Sequence, residues 1–455
     1  MILDPVRHQK PGQLGRQTED RCGTPNGRCR DETRSAGTTD KGSGRGHLLA
    51  QALTRENLQR AWQRVRQNGG SAGVDGLSIA ETAEWLKRHW PEVKAALLAE
   101  RYRPSPVRRV MIPKAGGGER ELGIPTVIDR LIQQALLQVL QPQLDGGFSE
   151  HSYGFRPGRS AHGAIAAARA HLMAGYRIVV DVDLEKFFDR VDHDTLMGRL
   201  ARKVTDPAVL RLVRRYLQAG VMVDGELQQR TMGTPQGGPL SPLLANVLLD
   251  EVDKRLEQRG HRFVRYADDC NIYVRSYRAG ERVLGWLRRL YGRLKLSVNE
   301  GKTAVAHYRG RKFLGYAFVW SRGQIRPTVA QSSLKRLRER LRQLTQRTQG
   351  RSLSSIVSDV RRYLLGWKAY FQLVETREPL LRHDQWLRRR LRMVHLVHWK
   401  HGRRAYRALR RLGASERIAA TGAKGVRHWW AGARNNLHTI LTIAYFDQLG
   451  VPRLA

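Results

Sequence analysis

The chain has 455 residues, and 81 Lys+Arg against 41 Asp+Glu leave a formal charge of +40. Its 41% hydrophobic content suffices for sizeable cores, in roughly two to four structural units. No run reaches the ~18–20 apolar residues that a membrane span needs, so an integral membrane protein is excluded. So large a positive surplus repels itself unless a polyanion neutralises it, which puts nucleic acid first among partners. The N-terminus lacks the apolar h-region of a cleaved signal. Three cysteines, Cys22, Cys29 and Cys270, are too few for a disulfide framework and fit a reducing cytoplasm.

Residues 1–46 hold 9 basic and 6 acidic side chains amid Gly, Thr and Ser, without apolar periodicity, and read as a disordered leader. Cys22 and Cys29 lack the second ligand pair of a zinc site. From about Leu48 the spacing predicts one amphipathic helix carrying Leu53, Leu58, Ala61, Trp62 and Val65, stopped at Asn68-Gly69-Gly70. Residues 100–300 alternate short β-rich runs with helical stretches, an α/β or α+β pattern.

Within that stretch, Arg177–Asp189 begins as a strand buried on both faces, and alternation sets Asp181 and Asp183 on one side. Acids at the end of a buried strand need an ion partner, hydrogen bonds or a metal. Either Asp181 or, less favourably, Asp183 is also a candidate cap for a helix beginning near Leu184. Asp189, Asp192 and Asp194 read as helix-terminus and loop residues. Further on, Phe263–Val274 reads as a hairpin with Asp268 and Asp269 at its turn. Adjacent aspartates repel each other and favour a cation beside them, although Asp is also an ordinary turn residue. Three carboxylates from two strand ends suit a pair of Mg²⁺ ions, which prefer oxygen ligands and support in-line phosphoryl displacement. The residues by themselves reach metal-assisted phosphoryl transfer on nucleic acid, and do not separate a polymerase from a nuclease.

The last 125 residues, 331–455, hold 27 Lys+Arg and 7 Asp+Glu, so half of the surplus lies there. Leu334, Leu337, Leu341 and Leu344 follow helical spacing, with Lys335, Arg336, Arg338, Arg340 and Arg342 between them. This predicts a helix with one buried and one basic face, and 386–411, with Arg388, Arg389, Arg390 and Arg392, predicts another. With few acids to alternate with, these faces are expected to meet nucleic acid.

The order of motifs resembles a known family. Asp183-Leu-Glu-Lys-Phe-Phe-Asp189, Thr234-Pro-Gln-Gly-Gly-Pro-Leu-Ser-Pro242 and Tyr266-Ala-Asp-Asp269 resemble the palm of a reverse transcriptase. Gly73-Val-Asp-Gly76, Ile112-Pro-Lys114, Gly123-Ile-Pro125, Asp129-Arg-Leu-Ile-Gln133, Tyr153-Gly-Phe-Arg-Pro-Gly158, Asn299-Glu-Gly-Lys302 and Phe313-Leu-Gly-Tyr316 match the bacterial group II intron-encoded branch. The resemblance spans about residues 48–400. It implies an α+β right-hand polymerase with an antiparallel palm sheet, then a helical thumb and a small basic C-terminal region. The implied domains are 47–320 for fingers and palm (with an N-terminal extension at 47–100), 321–400 for thumb or maturase domain X, and 401–455 for DNA binding.

Carried over residue by residue, the resemblance makes Asp183, Asp268 and Asp269 the catalytic ligands of two Mg²⁺ ions. Phe188 becomes the gate against a ribose 2′-OH. Lys114 and Arg120 grip the incoming triphosphate from one hairpin, Gln236 and Gly237 lie beside nucleotide and template, and Lys302 stabilises or protonates the leaving pyrophosphate. No cysteine follows Cys270, so the paired-cysteine endonuclease of many relatives is not expected, as in compact group IIC-like proteins. His395, His398 and His401 then read as RNA contacts or surface. The implied activity is RNA-directed DNA polymerisation together with maturase action in the bacterial cytoplasm. The implied partners are intron RNA, an RNA template with DNA or RNA primer, target DNA and deoxynucleoside triphosphates. The residues leave two rivals open: an RNA-binding splicing cofactor whose polymerase site is unused, and a domesticated reverse transcriptase in phage defence or DNA repair. Oligomeric state is not legible in the sequence.

Overall fold

The structure is a computed structural model that describes residues 47–113, 118–223, 226–347, 350–433 and 437–455. The expected leader at 1–46, with Cys22 and Cys29, lies outside these residues, as does Lys114. The described chain divides into two compact units, one within Gly42–Arg340 plus Leu373–Pro379, the other within Leu341–Gln372 plus Leu380–Ala455. Among the described residues no helix is long and apolar enough to cross a membrane.

The first unit opens with α1 (His47–Ala52) and α2 (Arg55–Asn68) where the sequence predicts a single helix. The break has a polar cause. Asn57 Nδ2 donates to the Ala52 carbonyl at 2.8 Å and to the Ala135 carbonyl at 3.0 Å, satisfying an end that a continuous helix would satisfy itself. Asp206 Oδ2 accepts from the Leu48 and Leu49 N–H groups and fixes the start of α1. Gly69, at φ 64°, ends α2 as expected. Next, α3 (Ile79–Leu98) begins at a reciprocal capping box between Ser78 and Glu81.

Strands β1 (Val107–Pro113) and β2 (Glu119–Ile124) form an antiparallel hairpin. After it come α4 (Val127–Asp145), α5 (Ala161–Met173), β3 (Ile178–Val182), the single turn α6 (Phe187–Arg190), α7 (His193–Leu200) and α8 (Pro207–Gln218). Strands β4 (Val221–Val223) and β5 (Glu226–Gln228) extend the first sheet to the order β2-β1-β4-β5. The next elements are α9 (Ser241–Gln258), β6 (Arg262–Tyr266), β7 (Asp269–Val274), α10 (Tyr277–Arg293) and β8 (Ala304–His307). These give a second, wholly antiparallel sheet, β6-β7-β3-β8. A small sheet of β9 (Lys312–Phe313), β10 (Tyr316–Ser321) and β11 (Gln324–Val329) follows.

The antiparallel sheet positions the site. Its β-branched residues Val180, Val182 and Ile272, with Phe263, are buried in one apolar cluster with Leu248 and Val252 of α9 and Leu287 of α10. On the central strand β3, neighbours in sequence face opposite ways, so Asp181 and Asp183 share the side away from Val180 and Val182. No helix begins at Leu184. Its backbone bridges to Val298, and the Glu185 N–H donates to the Ser297 carbonyl. Asp181 therefore caps nothing and instead pairs with Arg311 at 2.5 Å.

Next in the chain are α11 (Gln331–Leu344), α12 (Leu353–Tyr370), α13 (Glu378–Trp399), α14 (Gly402–Arg411), α15 (Glu416–Lys424), α16 (Trp429–Gly432) and α17 (Ile443–Gln448). On α11, Leu334, Leu337 and Leu341 are buried while Lys335, Arg336, Arg338 and Arg342 are exposed, as the spacing predicts. The second basic stretch differs from expectation on α13, in the second unit. Arg388 is buried and pairs with Asp384 at 2.5 Å and Asp447 at 3.1 Å. Arg389 donates to the Trp430 carbonyl, Arg390 to Thr345 Oγ1 and Arg392 to the Leu441 carbonyl. A guanidinium has five donors, and here they bind carbonyls and hydroxyls of the unit's own chain. His395 is likewise buried, not a surface group, and burial pushes its pKa down to about 4. The exposed basic face expected over 386–411 lies on α14, where Arg403, Arg404, Arg407, Arg410 and Arg411 are exposed around buried Ala405 and Leu409.

Candidate active site

Register brings the expected acids together. Val182 pairs with Cys270 across β3 and β7, so Asp183, one residue on, falls beside Asp269, one residue back. Tyr266 pairs with Asp269, which makes Ala267-Asp268 a two-residue turn at the end of the β6–β7 hairpin. Burial pushes the Asp269 carboxyl well above the usual carboxylate range, reinforced by the charges of Asp181, Asp268 and Asp183. Burial also raises Asp268, with Asp183 adding to the rise.

The acid turn is held by a residue the motif reading passes over. Arg265 is fully buried on β6 and forms a two-toothed pair with Asp253 of α9, Nε to Oδ1 at 2.8 Å and Nη2 to Oδ2 at 2.6 Å. Its remaining donors reach Asn246 Oδ1 at 3.0 Å, the Ala267 carbonyl at 2.8 Å and Ser152 Oγ at 2.8 Å. One guanidinium thus ties the turn to a helix and a loop. The sequence carries a signal for it: an arginine inside the apolar run Phe-Val-Arg-Tyr must find a partner. Ala267 itself lies at φ 58°. Gly154 packs so closely there that a Cβ would stand 2.3 Å from the Ala267 nitrogen.

The other expected residues lie around this turn to differing degrees. Lys302 Nζ stands 3.1 Å from Asp183 Oδ2, yet that buried oxygen accepts no aligned hydrogen bond. Phe188 is half-buried on α6 with its ring edge-on to the buried Phe187, and its carbonyl accepts from the Thr234 N–H at 2.7 Å. The loop that follows docks on β2: the Gly123 N–H donates to the Gln236 carbonyl at 3.0 Å, and a Cβ on Gly237 (φ 138°) would meet the Gly123 carbonyl at 2.6 Å. Arg120 is exposed three residues up the same strand, about 10 Å along it.

The three candidate residues would suit a hard divalent cation: all are carboxylates, Asp183 Oδ2 is buried without a hydrogen bond, and the mutual repulsion around Asp269 is what a cation relieves. Among the described residues no three His, Cys, Asp or Glu side chains surround one point.

Comparison with known proteins decides the family. Residues 112–318 match the model for reverse transcriptase (RNA-dependent DNA polymerase), and residues 334–413 match the group II intron maturase-specific domain. Protein YkfC of Escherichia coli K12 is 33% identical over 292 residues, 55% of this chain and 77% of that protein. This chain belongs to the group II intron reverse transcriptase/maturase family. The group II intron-encoded protein LtrA of Lactococcus lactis is 34% identical over 242 residues, 52% of this chain but only 40% of LtrA. Among solved structures, a telomerase from Candida albicans overlays 82% of this chain at TM-score 0.41 and 12% identity, covering 68% of that chain. That overlay is too loose to define the fold. Family membership brings an RNA-dependent DNA polymerase domain, a maturase domain and, with them, nucleic-acid template and intron RNA as partners. Reverse transcriptases as a family use divalent metal.

Proposed function

We propose that this group II intron reverse transcriptase/maturase copies RNA into DNA at Asp183, Asp268 and Asp269, and binds its intron RNA to assist splicing and mobility. One observation carries the reading: the β3–β7 register sets Asp183 beside Asp269, at the hairpin turn that holds Asp268. The three carboxylates would hold two Mg²⁺ ions, which when bound would supply Lewis-acid stabilisation of the phosphoryl oxygens. Asp268 and Asp269 present their oxygens from a turn that Arg265 keeps fixed. Phe188 closes the space where a ribose 2′-OH would sit, favouring deoxynucleoside triphosphates. Lys114 and Arg120 balance the charge of the triphosphate, and Gln236 with Gly237 lines the nucleotide and template. Lys302 stands at Asp183 and turns to the leaving pyrophosphate.

On this reading 47–320 forms the fingers and palm of a right hand, 321–400 the thumb and maturase domain X, and 401–455 a basic region for target DNA. Substrates are an RNA template with a DNA or RNA primer. Extension of a DNA primer on an RNA template by the full chain, dependent on Mg²⁺ and abolished by a chelator, tests the proposal. A chain that binds intron RNA but extends no primer would leave the splicing-cofactor role alone standing.

A further inference from the structure

Phe155 is out of place for a phenylalanine. Phe148, Phe187 and Phe263 of the same unit are 2–3% exposed or fully buried, whereas Phe155 is 41% exposed. Its backbone lies at φ 59°, in the left-handed region that a bulky side chain avoids and a glycine enters freely. The loop does not drift into this shape; it is fastened on both sides. Gly154 O accepts from Asn246 Nδ2 at 2.9 Å, and Phe155 O accepts from Gln141 Nε2 at 3.3 Å. Arg156 is buried against Asp145 and the Ser149 and Ser152 carbonyls. Strain of this kind persists where surroundings over-determine it, and it gathers at ligand clamps.

The loop also fixes what the ring borders. Tyr153 N–H donates to the Arg265 carbonyl at 2.9 Å, and Gly154 touches Ala267, so the loop is packed on the strand and turn that carry the aspartates. The Phe155 ring centroid lies 6.4 Å from that of Tyr266, two residues before Asp268. The Phe155 ring thus lies against Tyr266 at the entry to the acid turn, held outward at a conformational cost. The cation of the loop does not add a phosphate site there, because Arg159 is already paired with Glu150.

We propose that Phe155 is a stacking contact for an unpaired template nucleotide at the junction where the primer ends, holding that junction, and with it the primer 3′-hydroxyl, at the aspartates. This rests on the polymerase reading above. Phe155 stands beside Tyr266, on the strand that leads into Asp268, and an aromatic face serves any unpaired base because every base has a π-face.

Phe155→Gly removes ring and strain together, which separates stacking from folding. The full-length variant keeps or raises its Tm, and its Kd for an RNA-template/DNA-primer duplex with a single-stranded template overhang rises about 5- to 150-fold, the range for one unpaired base stacked on one aromatic. The slope of log Kd against log salt stays as in the parent, because Phe155 neutralises no phosphate. Phe155→Tyr binds like the parent, and Phe155→Leu, which keeps apolar bulk, stays weak. If the parent extends a primer and Phe155→Gly or Phe155→Leu binds the duplex as tightly as the parent, the stacking role is refuted. A salt slope altered by a whole unit would refute it too. A parent that extends no primer on RNA would instead overturn the polymerase reading.

Discussion

Arg265 on β6 and the arginines of α14 carry the same guanidinium in opposite circumstances. In the first unit the group is sealed from water and meets a carboxylate, an amide, a hydroxyl and the carbonyl of Ala267. On α14 of the second unit Arg403, Arg404 and Arg407 are exposed around a strip of Ala405 and Leu409. Burial turns a charge into a constraint, because each unpaired donor would cost desolvation energy. Exposure leaves it available for a polyanion and nearly worthless for stability. A net charge therefore says little until each cation is assigned to one class, and Arg388 shows that both classes occur within the basic last third of the chain.

The largest expected effect comes from opening the sealed site. Arg265→Ala strands the buried Asp253 and should cost about 3–5 kcal/mol in urea unfolding. The double change Arg265→Met with Asp253→Leu should recover much of that stability without recovering polymerisation, because the tether to Ala267 stays broken. Full activity in the double variant would break the link between this ion pair and the turn. Within the second unit, Arg388→Ala should be destabilising by a similar few kcal/mol. Arg403, Arg404 and Arg407 changed together to Ala should alter stability by only about 0.5 kcal/mol per site. The same triple variant should bind RNA more weakly, its salt slope falling by about one for each phosphate that an arginine no longer neutralises. An unchanged slope would remove α14 from the nucleic-acid surface.

The smallest effect is a gain. Asp269 has its pKa raised in the folded state, so its contribution to stability is present below the unfolded value of about 3.9 and is lost as pH rises through the folded value. At neutral pH the raised pKa of Asp269 therefore opposes folding. Asp269→Asn in chelator at pH 7 should raise Tm, by about 2–4 °C for each kcal/mol relieved. The gain should vanish below pH 4, and Mg²⁺ should stabilise the parent more than the variant. An equal Tm gain at both pH values would contradict the electrostatic origin.

Much of the first unit was legible because its signals are local. The β-branched run ahead of Asp183 and the apolar flanks of Asp268-Asp269 each announce a strand, and the α11 leucines announce a face. Features set by distant partners were not legible. The α1–α2 break depends on Asn57 reaching Ala135 and on Asp206 reaching back to Leu48. Asp181 looked like a cap because its true partner, Arg311, lies 130 positions away. Arg388 and His395 looked like surface because sequence records charge and spacing but not depth; Asp447, which closes over Arg388, is 59 residues on. The candidate site follows the same divide: its acids are legible as motifs, and the buried arginine that ties down their turn is legible only as an oddity inside an apolar strand.

The most direct measurement of the central claim is single-nucleotide extension of a DNA primer on an RNA template by Asp268→Asn, with duplex affinity measured on the same sample. The account predicts an unchanged Kd for the duplex and a rate at least about a thousandfold below the parent, some 4 kcal/mol of lost transition-state stabilisation. Extension at the parental rate would contradict it.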